Sequence, residues 1–198
     1  MMTIHCTLAF AVVLPLAAYA GTSQPPATTM PVGTNIIERP GVNQLRNSDF
    51  SKGLTSWRPW QFASRDSNWV QVVTKSGETA YCALRLMNPE PGCPMVGVQQ
   101  EVRVVSGCVY RLVASAQSMA TNSSAVLFGG RVAFNCPPQS ERQLVWTTEF
   151  NNWWRRKSEF TNTVTGTARV FVHVGYGNQP TTGEFADVRL ERLGNGKP

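Results

Sequence analysis

The chain is predicted to be all-β, a two-sheet antiparallel β-sandwich of the jelly-roll kind. Three observations predict it. Short apolar runs alternate with period two, turn residues separate them, and no stretch keeps apolar residues at i, i+3, i+4, i+7 over three turns. About 150 residues in this pattern are enough for two sheets around one core.

The alternation is explicit along the chain. In Trp69–Val73, Val70 and Val72 point one way and Trp69 and Gln71 the other. In Ala83–Met87, Leu84 and Leu86 oppose Arg85. The same signal recurs at 98–105, 110–117, 126–134, 141–150, 158–163, 168–174 and 185–193, each run bounded by Gly, Pro, Asn or Ser clusters.

The ends read differently. Residues Leu8–Ala20 form an apolar run closing on Ala18-Tyr19-Ala20, a secretory signal over 1–20 with an n-region that lacks Lys and Arg. The run is too short to span a bilayer, which takes about 20 apolar residues. Residues 21–41 are a Pro/Thr-rich linker, 42–193 the β-domain and 194–198 a tail. Export gives a secreted protein that is periplasmic, cell-surface or extracellular. In that oxidising setting Cys82, Cys93, Cys108 and Cys136 suggest two disulfides out of three possible pairings. The Pro-Gly turn at 88–92 favours Cys82–Cys93 with Cys108–Cys136. Zinc is disfavoured, since neither close Cys spacing nor a second mature histidine beside His173 is present.

Charge narrows the function. Lys and Arg number 18 against 12 Asp and Glu, a net +6, yet only Arg155-Arg156-Lys157 is a cluster. That is too thin for a nucleic-acid surface, and it suits either an acidic glycan or an edge-strand charge run that blocks sheet pairing. Six tryptophans in 198 residues are a surplus needing a role. Trp57 and Tyr110 read as core, and Trp60 as a loop residue able to cap a cleft. With Val70, Leu84, Leu112 and Val172 inward, Trp69, Gln71, Arg85, Ser115, Gln117 and His173 point outward. If those strands share a sheet, they make a polar face with an aromatic edge. Tyr176 between two glycines is a further loop platform.

Five segments in order resemble the jelly-roll carbohydrate-binding modules of families 4, 9 and 22, a galactose-binding-like fold. They are Asn43–Trp57, with Phe50 and a following Trp; Ser76-Gly77 before Ala83–Leu86; Gln100–Leu112; Trp154–Thr161; and Gly183–Leu190. The resemblance implies a non-catalytic protein that binds a polysaccharide or cell-surface glycan through aromatic and polar side chains. It also makes Trp154 the packed tryptophan and leaves Trp153 exposed beside the cations. It implies a structural calcium near the chain ends, with Asp187 matching the closing acid; Ser51 stands where the family has an acid, and Asp49 lies just before Phe50. The alternatives are an envelope protein using the sandwich for protein contacts, and a polysaccharide lyase using His173, Tyr176 and Arg85. Hydrolysis is disfavoured because no pair of acids is brought together by spacing.

Overall fold

The computed structural model describes residues 41–61, 67–76, 80–89, 95–119, 129–147, 152–175 and 180–195. The strands are β1 (Val42–Asn43), β2 (Arg58–Gln61), β3 (Val70–Lys75), β4 (Tyr81–Asn88), β5 (Val96–Val104), β6 (Cys108–Ser118), β7 (Gly130–Asn135), β8 (Arg142–Trp146), β9 (Trp154–Thr161), β10 (Gly166–Val174) and β11 (Thr181–Asn195). A 3-10 turn, Ser67–Trp69, leads into β3.

Two antiparallel sheets result. The six-stranded sheet runs β3-β4-β11-β6-β9, with β1 also on β11; the five-stranded sheet runs β2-β5-β10-β7-β8. β4 covers one half of β11 (181–185) and β1 covers the other (Arg192 and Glu191), so both lie along the same long strand. β11 spans this length with a bulge between Ala186 and Arg189, where Asp187 takes a left-handed φ of 52°.

Alternation supplies the core. Leu84, Leu86, Leu112, Ala114, Phe185 and Leu190 from one sheet meet Val98, Val132, Phe134, Val170 and Val172 from the other, all fully buried. Each such aliphatic or aromatic side chain removed from water stabilises by about 1.5–3 kcal/mol. The segment before β2 is a polar-built turn. Asn47, itself left-handed at φ 48°, donates through Nδ2 to the carbonyls of Gly53 and Thr55 (both 2.9 Å), and its carbonyl accepts from Trp57 Nε1 at 3.0 Å. The turn drives Phe50 and Trp57 into the core, their rings 5.4 Å apart. Phe50 holds φ 57°, an unfavourable conformation for an aromatic residue, offset by its complete burial.

The tryptophans do not all fall where the sequence places them. Trp57 and Tyr110 are core as expected. Trp154 is 54% exposed, and Trp146 is the fully buried one, donating from Nε1 to the Trp154 carbonyl at 2.8 Å. The reason is topological. β9 is the outer strand of its sheet, so an inward-facing position there reaches past the core, and Arg156 lies 5.9 Å from the Trp146 ring centre. The cations Arg155, Arg156 and Lys157 therefore lie on an edge strand, where charge discourages pairing with another sheet. Trp146→Ala is expected to cost roughly 3–5 kcal/mol, because a large fully buried ring leaves a cavity and an orphaned carbonyl; urea unfolding of wild type and variant measures it.

Candidate functional site

Three of the expected binding residues do share a ladder, but a carboxylate joins them. Gln71 pairs in register with Arg85, Arg85 with Glu184, and Glu184 with Gln117, all facing out from the six-stranded sheet. Glu184 is completely buried. Its Oε1 accepts from Lys75 Nζ (2.9 Å) and from Arg85 Nη2 and Nε (2.7 and 3.1 Å), and its Oε2 accepts from Gln117 Nε2 (2.8 Å). Burial pushes its pKa up, but the hydrogen bonds from Lys75, Arg85 and Gln117 outweigh that and hold it below the ordinary value.

The rest of this face is neutralised in the same way. Asp187 is held by Arg155 (3.2 Å) and Arg189 (2.8 Å), Glu191 by Arg111 (3.3 Å) and Arg189, and Glu159 by Arg111 (2.8 Å). Trp153 is half-buried and donates through Nε1 to the Tyr81 hydroxyl at 3.0 Å, with the rings edge to face at 5.8 Å. Trp69 ends the 3-10 turn instead of lying in the strand, and it packs against the core. Of the groups expected to fork hydrogen bonds to a ligand, Arg85 and Gln117 are thus occupied by Glu184.

His173 is separated from them. β10 belongs to the five-stranded sheet, so His173 points out from the opposite side of the sandwich. There Trp60 of β2 lies opposite Gly97 of β5, which lies opposite His173, which lies opposite Arg131 of β7. The next outward row is Arg58, Gln99, Phe171, Ala133 and Gln143. The Trp60 ring packs 4.8 Å from Phe171 and 5.3 Å from His173, centre to centre. Gly97 is required here: a Cβ would sit 2.4 Å from the Val172 carbonyl and 2.7 Å from His173 Cβ. Arg131 donates to Gln143 at the far side of the face.

Among the buried polar atoms on this face, His173 Nδ1 and Gln99 Oε1 have no hydrogen-bond partner. Such orphans cost about 1–3 kcal/mol each and call for an explanation, commonly a ligand or ordered water. His173 is 5% exposed, and burial, then the nearby Arg131 charge, lowers its pKa to about 4. The imidazole is therefore neutral at physiological pH. Phe171, Arg131, Gln99 and Gly97 were not singled out from the sequence. Their signal was present in the alternation of β5 and β10, but nothing in the linear pattern says which strands share a face.

The remaining expectations divide. Tyr176 and Cys93 lie outside the described residues, as do residues 1–40. No disulfide joins Cys108 to Cys136; they stand on opposite sheets, β6 and the end of β7, and Cys136 is a buried thiol whose pKa burial raises. Cys82 is likewise a thiol, with Sγ 3.9 Å from Thr74 Oγ1. The Asp49 carboxylate accepts from the N–H and hydroxyl of Ser51, and two guanidiniums already surround Asp187. No group of three or more potential ligands from His, Cys, Asp and Glu occurs among the described residues. Nor, among them, is any helix long and apolar enough to cross a membrane.

The architecture is that of the jelly-roll carbohydrate-binding modules. The chain is similar to a CBM61 module solved with β-1,4-galactotriose, at 23% identity and a TM-score of 0.54, covering 76% of this chain and 99% of that one. It is similar to a family 16 carbohydrate-binding module at 14% identity and a TM-score of 0.55, covering 75% and 99%. The CBM22-1 xylan-binding domain of Paenibacillus barcinonensis Xyn10C aligns at 9% identity and a TM-score of 0.53, covering 79% and 97%. At these identities the likeness is one of fold. No protein-family profile matches the chain, and no curated protein matches it significantly.

Two outcomes test this geometry. Glu184→Ala leaves two cations partly buried without their anion, so a loss of about 3 kcal/mol is expected in urea unfolding at pH 7. For His173 the folded pKa lies below the unfolded 6.5, so the unfolded chain binds the extra proton. Its contribution, about 3 kcal/mol at most, is complete above pH 6.5 and disappears as pH falls through 4. In His173→Gln the urea midpoint should lose this part of its pH dependence between 6.5 and 4.

Proposed function

We propose that the protein is an exported, non-catalytic carbohydrate-binding protein whose ligand lies on the outer face of the five-stranded sheet, over Trp60. The observation that carries this reading is the contrast between the two outer faces. On the six-stranded sheet the polar groups satisfy each other around Glu184. On the five-stranded sheet an aromatic group of Trp60, Phe171 and His173 adjoins buried polar atoms that lack partners.

Sugars present apolar C–H faces and a rim of hydroxyls. A ring such as Trp60 offers a flat apolar surface with a hydrogen-bonding edge, and side-chain amides both donate and accept. Gln99 Oε1 and neutral His173 Nδ1 can each accept from a sugar hydroxyl, which would relieve their missing bonds. Arg58 at one end of the row supplies donors. Glu101, on the same face, is engaged by Arg169 at 3.2 Å, so the face offers recognition groups and not a prepared acid–base pair. Similar folds were solved with a galactotriose or described as xylan-binding, which supports a glycan as the class of ligand. The apolar run ending at Ala20 supports export, which is where polysaccharide is met.

Affinity electrophoresis of the purified protein against a panel of neutral and acidic polysaccharides tests the reading. Retardation by at least one polymer is expected, with Trp60→Ala weakening it tenfold or more and Gln71→Ala, on the opposite sheet, leaving it unchanged. Retention by no polymer defeats the proposal. Loss with Gln71→Ala and not with Trp60→Ala moves the site to the other sheet.

A further inference from the structure

The two ends of β5 are covered differently. β2 pairs with β5 only from Val96 to Gln99. Beyond that point a side chain takes over: Gln100 Oε1 accepts from the Arg46 N–H at 2.8 Å, and Gln100 Nε2 donates to the Arg46 carbonyl at 3.0 Å. This clamp fixes the chain ahead of the Asn47 turn against the strand and leaves a cleft of about 610 Å³ beside it. That volume lies within the range of ligand sites, about 300–1,000 Å³.

Three arginines, Arg46, Arg58 and Arg103, line the cleft from three separate segments. None of them forms an ion pair with a described carboxylate. The acid nearest to hand is Glu101, which also lines the cleft but is engaged by Arg169. This differs from the six-stranded sheet, where Lys75, Arg85, Arg111, Arg155 and Arg189 all meet acids. The cleft is also continuous with the glycan face proposed above: Arg58 and Gln99 belong to both.

We infer that the cleft receives the anionic groups of the glycan, and that the ligand is an acidic polysaccharide bearing carboxylate or sulfate. The inference rests on the reading of the five-stranded face as the sugar site and names the class of sugar it takes. Guanidiniums present planar forked donors that match carboxylate and sulfate oxygens. The neutral part of the lining, Gln44, Ser56 and Gln99, matches hydroxyls. A nucleic acid fits less well, because the one aromatic ring there, Trp57, is 4% exposed with its N–H committed to Asn47 and has no face on which to stack a base.

Titration calorimetry with the full chain separates the outcomes, using polygalacturonate, a sulfated galactan, neutral galactan, neutral xylan and single-stranded DNA. An acidic polymer is expected to bind at least tenfold more tightly than the neutral ones, and 0.5 M NaCl should abolish the difference. Arg46→Ala with Arg103→Ala should reduce acidic binding tenfold or more while neutral binding stays within twofold; the wild-type salt dependence provides the same test should the variant fold poorly. The better of polygalacturonate and sulfated galactan identifies carboxylate or sulfate. Equal binding of neutral and acidic polymers overturns this inference while the Trp60 site stands. Arginine-dependent binding of DNA without acidic glycan overturns it as well. Binding of no glycan at all overturns the sugar site on which it rests.

Discussion

A carboxylate with no exposure to water has to be neutralised where it stands, and Glu184 sets that condition at the centre of the six-stranded sheet. Lys75, Arg85 and Gln117 reach it from β3, β4 and β6, so one side chain on β11 ties the outward groups of four strands together. Arginine links then carry the pattern along β11 to Asp187 and Glu191, and across β6 to Glu159 on β9. This polar lacing gives the sheet a second, non-core set of cross-strand contacts. It also takes Lys75, Arg85 and Gln117 out of ligand chemistry, since Glu184 already engages them.

The opposite sheet carries the complementary consequence. Its outer face holds aromatic rings over Gly97, a buried neutral histidine and an amide with an orphaned oxygen. Interactions left unmade in the free protein are the ones a ligand can complete, and preorganised sites are built from such groups on rigid strands. The positive excess of the chain follows the same division. Lys75, Arg85, Arg111, Arg155 and Arg189 on the six-stranded sheet face acids, whereas Arg46, Arg58 and Arg103 converge on one cleft without such partners.

Much of this was legible beforehand, and the failures have one cause. Period-two alternation located nine of the strands and assigned inward and outward side chains correctly for Val70, Leu84, Leu112 and Val172. The polar ladder of Gln71, Arg85 and Gln117 was visible as three outward residues, but not Glu184 between them. Carboxylates are ordinarily solvated, and only the register of β11 between β4 and β6 buries this one. His173 was read as outward, correctly, yet grouped with strands of the other sheet. The family resemblance implies a packed Trp154, but on an edge strand this inward position stays exposed.

By itself, then, the sequence determined the all-β class, the two-sheet sandwich and much of the core, Trp57 and Tyr110 included. These depend on local periodicity and turn chemistry, which are written along the chain. Only the tertiary structure decided which outward faces coincide, which polar groups cancel each other, and where Trp60, His173 and the three unmatched arginines come together. Strand order within a sheet joins residues as far apart as Arg85 and Glu184, and no linear spacing encodes that order.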